Sequence, residues 1–183
     1  MSKAVLISIK PKWVEKIMSG KKTIEIRHTA PKEVPFKAYI YCTKEKKQDD
    51  IIWAGAFGDR GKWNGHIIGE FICRGIMQPF DSLRLMAKES CLTEEELLTY
   101  SNGKTLYGWH ISDLKIYDKP KELSEFYRPC SYSGICYSCN RFRPNGTPND
   151  KPNDFCDGAI TRPPQSWQYV EEIEIRQNEE VEE

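Results

Sequence analysis

Between Ala4 and Arg27 the apolar period of the chain changes twice, and this constrains the fold more than any other feature. Ala4–Ile9 is a short, almost unbroken apolar run of strand character. Pro11 then opens a helical stretch that Gly20 closes, the Pro-in, Gly-out asymmetry of a short helix. Within it Trp13 with Ile17, and Val14 with Met18, are i,i+4 pairs that form one apolar stripe. From Lys21 to Arg27 the period drops to two, with Ile24 and Ile26 alternating with Thr23, Glu25 and Arg27. The opening is therefore strand–helix–strand.

Further strands are expected over Lys37–Thr43, Ile67–Ile76, Leu106–Tyr117 and Val170–Ile175. Thr93 and Glu96 have capping-box spacing at the head of a helix over Leu92–Tyr100, and Lys121–Phe126 follows Pro120 as a single turn. The pattern predicts an α+β fold, a mostly antiparallel β-barrel decorated with short helices. The length of 183 residues suits a single domain over 1–183, with no internal repeat. Two long irregular segments interrupt it, a loop over 44–66 and a cysteine-rich insertion over 127–165. Loops of that length are usually functional or organised by a metal.

With 30% charged and 11% aromatic residues the chain has the composition of a globular protein, not a disordered one. No stretch approaches the roughly 20 apolar residues of a membrane span, and the start lacks the apolar run of a signal peptide. Both point to a cytoplasmic protein without a membrane partner. The formal net charge of zero conceals an asymmetry. Residues 1–47 carry twelve Lys or Arg against four Glu, and residues 165–183 carry seven Glu against Arg176. A basic half can hold a polyanion such as RNA, while the acidic tail solubilises or competes for that surface. Solvated surface charge is the alternative.

The stretch GKKTIEIR is the densest in chemistry. Gly20 permits a sharp bend and close approach to a ligand. Lys21 and Lys22 supply cations after it, Lys22 as a mobile one. Glu25 and Arg27 share one strand face, about 6 to 7 Å apart at the strand rise. A guanidinium fork matches a phosphate or a base edge bidentately. A glutamate held ionised by arginine accepts hydrogen bonds from an exocyclic amine or activates a water. A solvent-facing ion pair of little consequence is the competing reading.

The run ISIKPKWVEKIMSGKKTIEIR resembles the start of an ASCH domain, the activating-signal-cointegrator homology module of the PUA-like superfamily. The family motif G-x-K-x-x-E-x-R is filled by Gly20, Lys22, Glu25 and Arg27. IIGEF (67–71), YGWHISDLKIYDKPKELSEF (107–126) and RPPQSWQYVEE (162–172) are similar as well. The resemblance implies a PUA-like β-barrel with a cleft beside the motif strand that binds RNA or a nucleotide. It also implies two enzymatic alternatives, since one bacterial branch removes the acetyl group of 4-acetylcytidine and another member is a ribonuclease. The deacetylating branch uses the motif lysine, a threonine three residues later and a later glutamate. Lys22 matches the first, Glu25 stands at the second, and Glu89 falls near the third. Gly20, Lys21, Lys22, Thr23, Glu25 and Arg27, with Gln165, Ser166 and Trp167, are the candidate ligand-binding residues. Lys22 and Glu25 are the candidates for a catalytic role. A protein-interaction module built on the cysteine loop and acidic tail is a third function class.

His28 and His110 would support acid–base cleavage of RNA if they met in a cleft; otherwise they are a partly exposed and a core histidine. Trp53, Trp63, Trp109 and Trp167 are candidate stacking platforms, or simply packed rings, with Trp167 preferred and Trp13 assigned to the helix stripe. The chain has seven cysteines. Cys130, Cys136, Cys139 and Cys156 are spaced C-x5-C-x2-C-x16-C in a segment too poor in aliphatic residues to bury a core. Structural zinc on these four would explain its order. Free thiols, or redox pairing of Cys136 with Cys139, remain the alternative. Cys42, Cys73 and Cys91 read as buried small hydrophobes.

Overall fold

The computed structural model describes residues 3–44, 63–79, 82–129 and 158–173. In chain order they form β1 (Lys3–Ile9), α1 (Pro11–Met18), β2 (Ile24–Arg27), β3 (Phe36–Cys42), β4 (Ile67–Cys73), β5 (Ile76–Met77), α2 (Leu83–Ser90), α3 (Glu94–Ser101), β6 (Tyr107–His110), β7 (Ser112–Lys121) and β8 (Trp167–Glu171). A single 3-10 turn covers Leu123–Glu125. The fold is mixed α+β.

The strands build two sheets, β7-β4-β3-β1-β8 and β2-β6-β5. Pairing is antiparallel except between β1 and β3, which run parallel. This revises the barrel expectation, because the described strands do not close into one. β1 lies inside the large sheet, between β3 and β8, and is buried on both faces, which is why its sequence is nearly continuous in apolar residues. Val5, Ile7 and Ile9 face one core, shared with α1, Phe36, Ala38, Ile40 and Trp109. Ala4 and Leu6 face a second, with Tyr39, Tyr41, Tyr117, Phe126 and Val170. Burying one such Leu or Ile contributes about 2 kcal/mol. A third core lies behind the small sheet, where Ile24, Ile26 and Met77 meet Met86, Ala87 and Leu97 of α2 and α3.

This layering settles which way β2 faces. Ile24 and Ile26 turn to the α2–α3 layer, so Glu25 and Arg27 turn inward, to the side where the small sheet packs against the large one. All four residues of β2 are buried, not the one face that alternation predicts.

Other differences have local causes. The expected strand over Ile67–Ile76 breaks at Arg74–Gly75 into β4 and β5, which join different sheets. The expected strand over Leu106–Tyr117 likewise divides at Ile111. β8 starts earlier than its apolar residues suggest, because Trp167 pairs with Ile7. The capping box of α3 is present, with Thr93 Oγ1 accepting from the Glu96 amide and Glu96 Oε2 from the Thr93 amide. α2 has no sequence counterpart above. Gly69 is required by space, since a Cβ there would lie 2.4 Å from the Lys115 carbonyl oxygen.

Cys42 and Cys73 are buried as expected, whereas Cys91 is half-exposed in the left-handed C-cap of α2. Cys130, Cys136, Cys139, Cys156 and Trp53 lie outside the described residues. Among the described ones no group of three His, Cys, Asp or Glu could hold a metal. No described helix is long and apolar enough to cross a membrane.

Candidate functional site

The bend that begins the motif is conformational in origin. Gly20 has φ +70°, and a Cβ there would meet nothing within 4 Å. It turns the chain from α1 toward β2, and the Lys22 amide donates back to the Lys16 carbonyl at 2.9 Å. The end of α2 covers the turn from the other side. Thr23 N–H donates to the Glu89 carbonyl at 2.9 Å, and Cys91 Sγ donates to the Lys21 carbonyl at 3.1 Å.

Lys22 is not the mobile cation its sequence context suggests. Its side chain is 3% exposed and its ammonium donates to the Ser90 carbonyl at 3.0 Å, at the negative end of the α2 dipole. The same ammonium sits 3.3 Å from Glu25 Oε2 and 5.2 Å from the centre of the Trp13 ring. Lys12 and Lys16 flank that ring at 4.6 and 4.8 Å. Burial holds the Lys22 pKa below its ordinary value, and Glu25 opposes the shift by favouring the charged form.

Glu25 is 4% exposed and Arg27 9%. The Arg27 guanidinium donates through Nη1 to Glu25 Oε1 and to the Ile26 carbonyl. Through Nη2 it reaches the Ser8 carbonyl at 2.6 Å and so joins β2 to β1. Ser8 extends the connection, its amide donating to the Ser166 carbonyl at 3.0 Å and its hydroxyl to the Pro164 carbonyl at 2.6 Å. Ser166 and its neighbours are thereby brought beside the motif strand from more than 130 positions away.

The charged group is not fully satisfied. Glu25 Oε2 faces Lys22 without hydrogen-bond alignment, and Arg27 Nε and Trp109 Nε1 have no hydrogen-bond partner. In the β2–β6 ladder Glu25 stands opposite Trp109 and Arg27 opposite Tyr107, while Ile76 of β5 stands opposite Trp109. Directly opposed residues share a face, so Glu25, Arg27, Tyr107, Trp109 and Ile76 lie on one side of the small sheet. Of these five, Tyr107 and Ile76 line a cavity of about 480 Å3 that reaches Thr29, whereas Glu25, Arg27 and Trp109 are not among its described lining residues.

The remaining candidates separate. Gln165 and Ser166 are exposed, and Trp167 is half-buried. The Trp167 ring makes edge contacts with Trp109 and Tyr169, and its N–H donates to Thr29 Oγ1 at 2.9 Å. Trp109 is fully buried and Trp63 packs on the same core. His28 stacks on Tyr100, while His110 pairs with Ile24 at the other end of the β2–β6 ladder. Four strand residues, about 13 Å, divide the two histidines, so they form no catalytic pair. Sequence reasoning missed Ser8, Ser90, Thr29 and Tyr107. Only Tyr107 had a usable signal, its alternation with Trp109.

Comparison with known proteins agrees with the fold. The crystal structure of the ASCH protein from Zymomonas mobilis superposes with a TM-score of 0.54 at 19% identity, over 92% of this chain and 87% of that one. A tyrosine-to-phenylalanine mutant of that protein gives 0.52 at 19% identity, covering 92% and 90%. A serine-to-alanine mutant gives 0.53 at 18%, covering 92% and 88%. A sequence comparison with the curated proteins finds no match. The family model described as the ASCH domain matches residues 7–142, and the chain belongs to the ASCH domain family.

Proposed function

We propose that this protein is a cytosolic RNA- or nucleotide-binding module that holds its ligand in a cleft beside β2. The observation that carries the reading is the Lys22–Glu25–Arg27 group, two cations around one carboxylate, buried between the sheets with Arg27 Nε left without a hydrogen-bond partner. An incompletely satisfied buried charge group is costly, by about 1 to 3 kcal/mol for each unpaired polar atom. Such groups cluster where a ligand is handled. The surplus of one positive charge favours an anionic guest, and the adjoining cavity supplies the room. Engaging Arg27 Nε takes a rotation of that side chain, because the atom is shielded.

Titration with short single-stranded RNA tests the reading. Tryptophan fluorescence should change saturably, with the response weakened by added salt. No response at high RNA concentration contradicts it. A second reading, hydrolysis of a modified nucleoside such as 4-acetylcytidine, draws on the lowered pKa of Lys22, since a neutral amine is a base or nucleophile. Acetate release from 4-acetylcytidine, abolished in Lys22→Met, would favour it.

A further inference from the structure

The cavity at the outer end of the motif face has a chemistry distinct from the charge group. Its volume of about 480 Å3 suits a small molecule. Ala30, Pro31, Val34 and Ile76 give it apolar walls, and Tyr107 contributes a half-buried ring. Two neutral polar groups join them, the Thr29 hydroxyl and the Gln78 amide. Among the described lining residues Lys32 alone is charged, and no carboxylate, histidine or thiol is present to favour a cation or metal.

Two contacts give these groups direction. Thr29 Oγ1 accepts from the Trp167 N–H at 2.9 Å, which leaves the hydroxyl proton for donation to another acceptor. Because Trp167 is wedged against Trp109 and Tyr169, that donor is held in place. Tyr107 stands directly opposite Arg27. Arg27 itself is buried against Glu25 and is not among the described lining residues, so within the cavity the Tyr107 ring is the face on which a flat ligand can stack.

We propose that this cavity is a mononucleotide subsite. One unpaired nucleobase lies against Tyr107 with its edge toward Thr29 and Gln78, and its phosphate lies at Lys32. Aromatic stacking accepts any base face, the amide and hydroxyl read the edge, and the lysine adds a salt-dependent anchor. The assignment rests on the nucleotide-binding reading above and adds the residues that hold the base. The nucleotide can be free in solution or part of a single strand.

Calorimetric titration of the full chain separates these cases. The probes are adenosine, guanosine, cytidine and uridine 5′-monophosphates and, separately, a short single-stranded RNA. The variants are Lys32→Gln and Gln78→Leu, both at exposed positions, with an unchanged melting temperature as the control for folding. Lys32→Gln should weaken every probe that binds by several-fold and reduce the salt slope by about one. Gln78→Leu should alter the order of preference among bases. Binding of the monophosphates identifies a free nucleotide, and binding of the RNA alone identifies a nucleotide within a strand. If the RNA binds wild type and both variants alike, the subsite is refuted while the broader reading stands. If neither class of probe binds, both are refuted.

Discussion

Arg27 of the small sheet donates to the Ser8 carbonyl of the large sheet at 2.6 Å, while the same guanidinium holds Glu25. One side chain thus joins two sheets and the motif carboxylate. Replacing Glu25 with Gln leaves Lys22 and Arg27 buried with no countercharge. Removing one partner of a buried ion pair costs about 3 to 5 kcal/mol. Glu25→Gln and Arg27→Met should each lower the urea midpoint accordingly, at constant m-value. A loss below about 1 kcal/mol, the range of exposed ion pairs, would show that the group is solvated.

The two informative glycines should respond differently to alanine. Gly20 has open space but φ +70°, so Gly20→Ala meets only the left-handed penalty of about 1 to 2 kcal/mol. Gly20→Asn should recover part of it. At Gly69 the new methyl would strike the Lys115 carbonyl, and β4 and β7 would have to part. Chemical denaturation should show Gly69→Ala to be the more damaging, with no rescue by Asn.

Tyr117 donates to Glu70 Oε2 at 2.6 Å, and the Tyr39 hydroxyl accepts from the Ile173 amide at 2.8 Å. Burial pushes both pKa values up, and Glu70 raises that of Tyr117 further. The folded chain therefore keeps these protons to a higher pH than the unfolded chain, whose tyrosines ionise near pH 10. Their contribution is complete below pH 10 and is lost as the pH rises beyond it. Tyr117→Phe should cost about 2 kcal/mol at neutral pH and flatten the alkaline decline. An unchanged decline in a pH series of melting curves would contradict the assignment.

Cys130, Cys136, Cys139 and Cys156 lie outside the described residues, yet the ends of their segment are fixed together. Tyr127 pairs with Ala159, and the Arg128 amide donates to the Gly158 carbonyl at 2.8 Å. Closing such a loop on a tetrahedral four-thiolate site suits zinc. Protein purified under reducing conditions should contain about one zinc per chain and melt earlier after chelation. Absence of zinc would leave free or paired thiols.

Legibility in the sequence followed the range of the interactions. α1 and the α3 capping box rest on neighbours within a few positions, and β1, though its partners β3 and β8 are remote, carries the continuous apolar run that burial on both faces demands. α2 was not foreseen although Leu83, Met86, Ala87 and Ser90 form an i, i+3, i+4, i+7 stripe behind the Ser82 N-cap. The stripe is only two turns long, ends in a serine, and faces its partners Ile24 and Ile26 about 60 positions away. The motif residues were visible as chemistry, but their burial was not. Lys22 meets its carbonyl 68 positions away and Arg27 its carbonyl 19 positions back, and neither distance leaves a periodic trace. The cavity wall was invisible for the same reason, being assembled from three separate segments.

Indole N–H signals offer the most direct test of a cleft on the motif face. Five tryptophans give five such signals, and Trp109 and Trp167 lie beside Glu25 and Thr29. On addition of short single-stranded RNA those two resonances should move saturably, and the shifts should shrink in Arg27→Met protein that remains folded. RNA that binds without moving either signal, or leaves all five unmoved, would contradict the account.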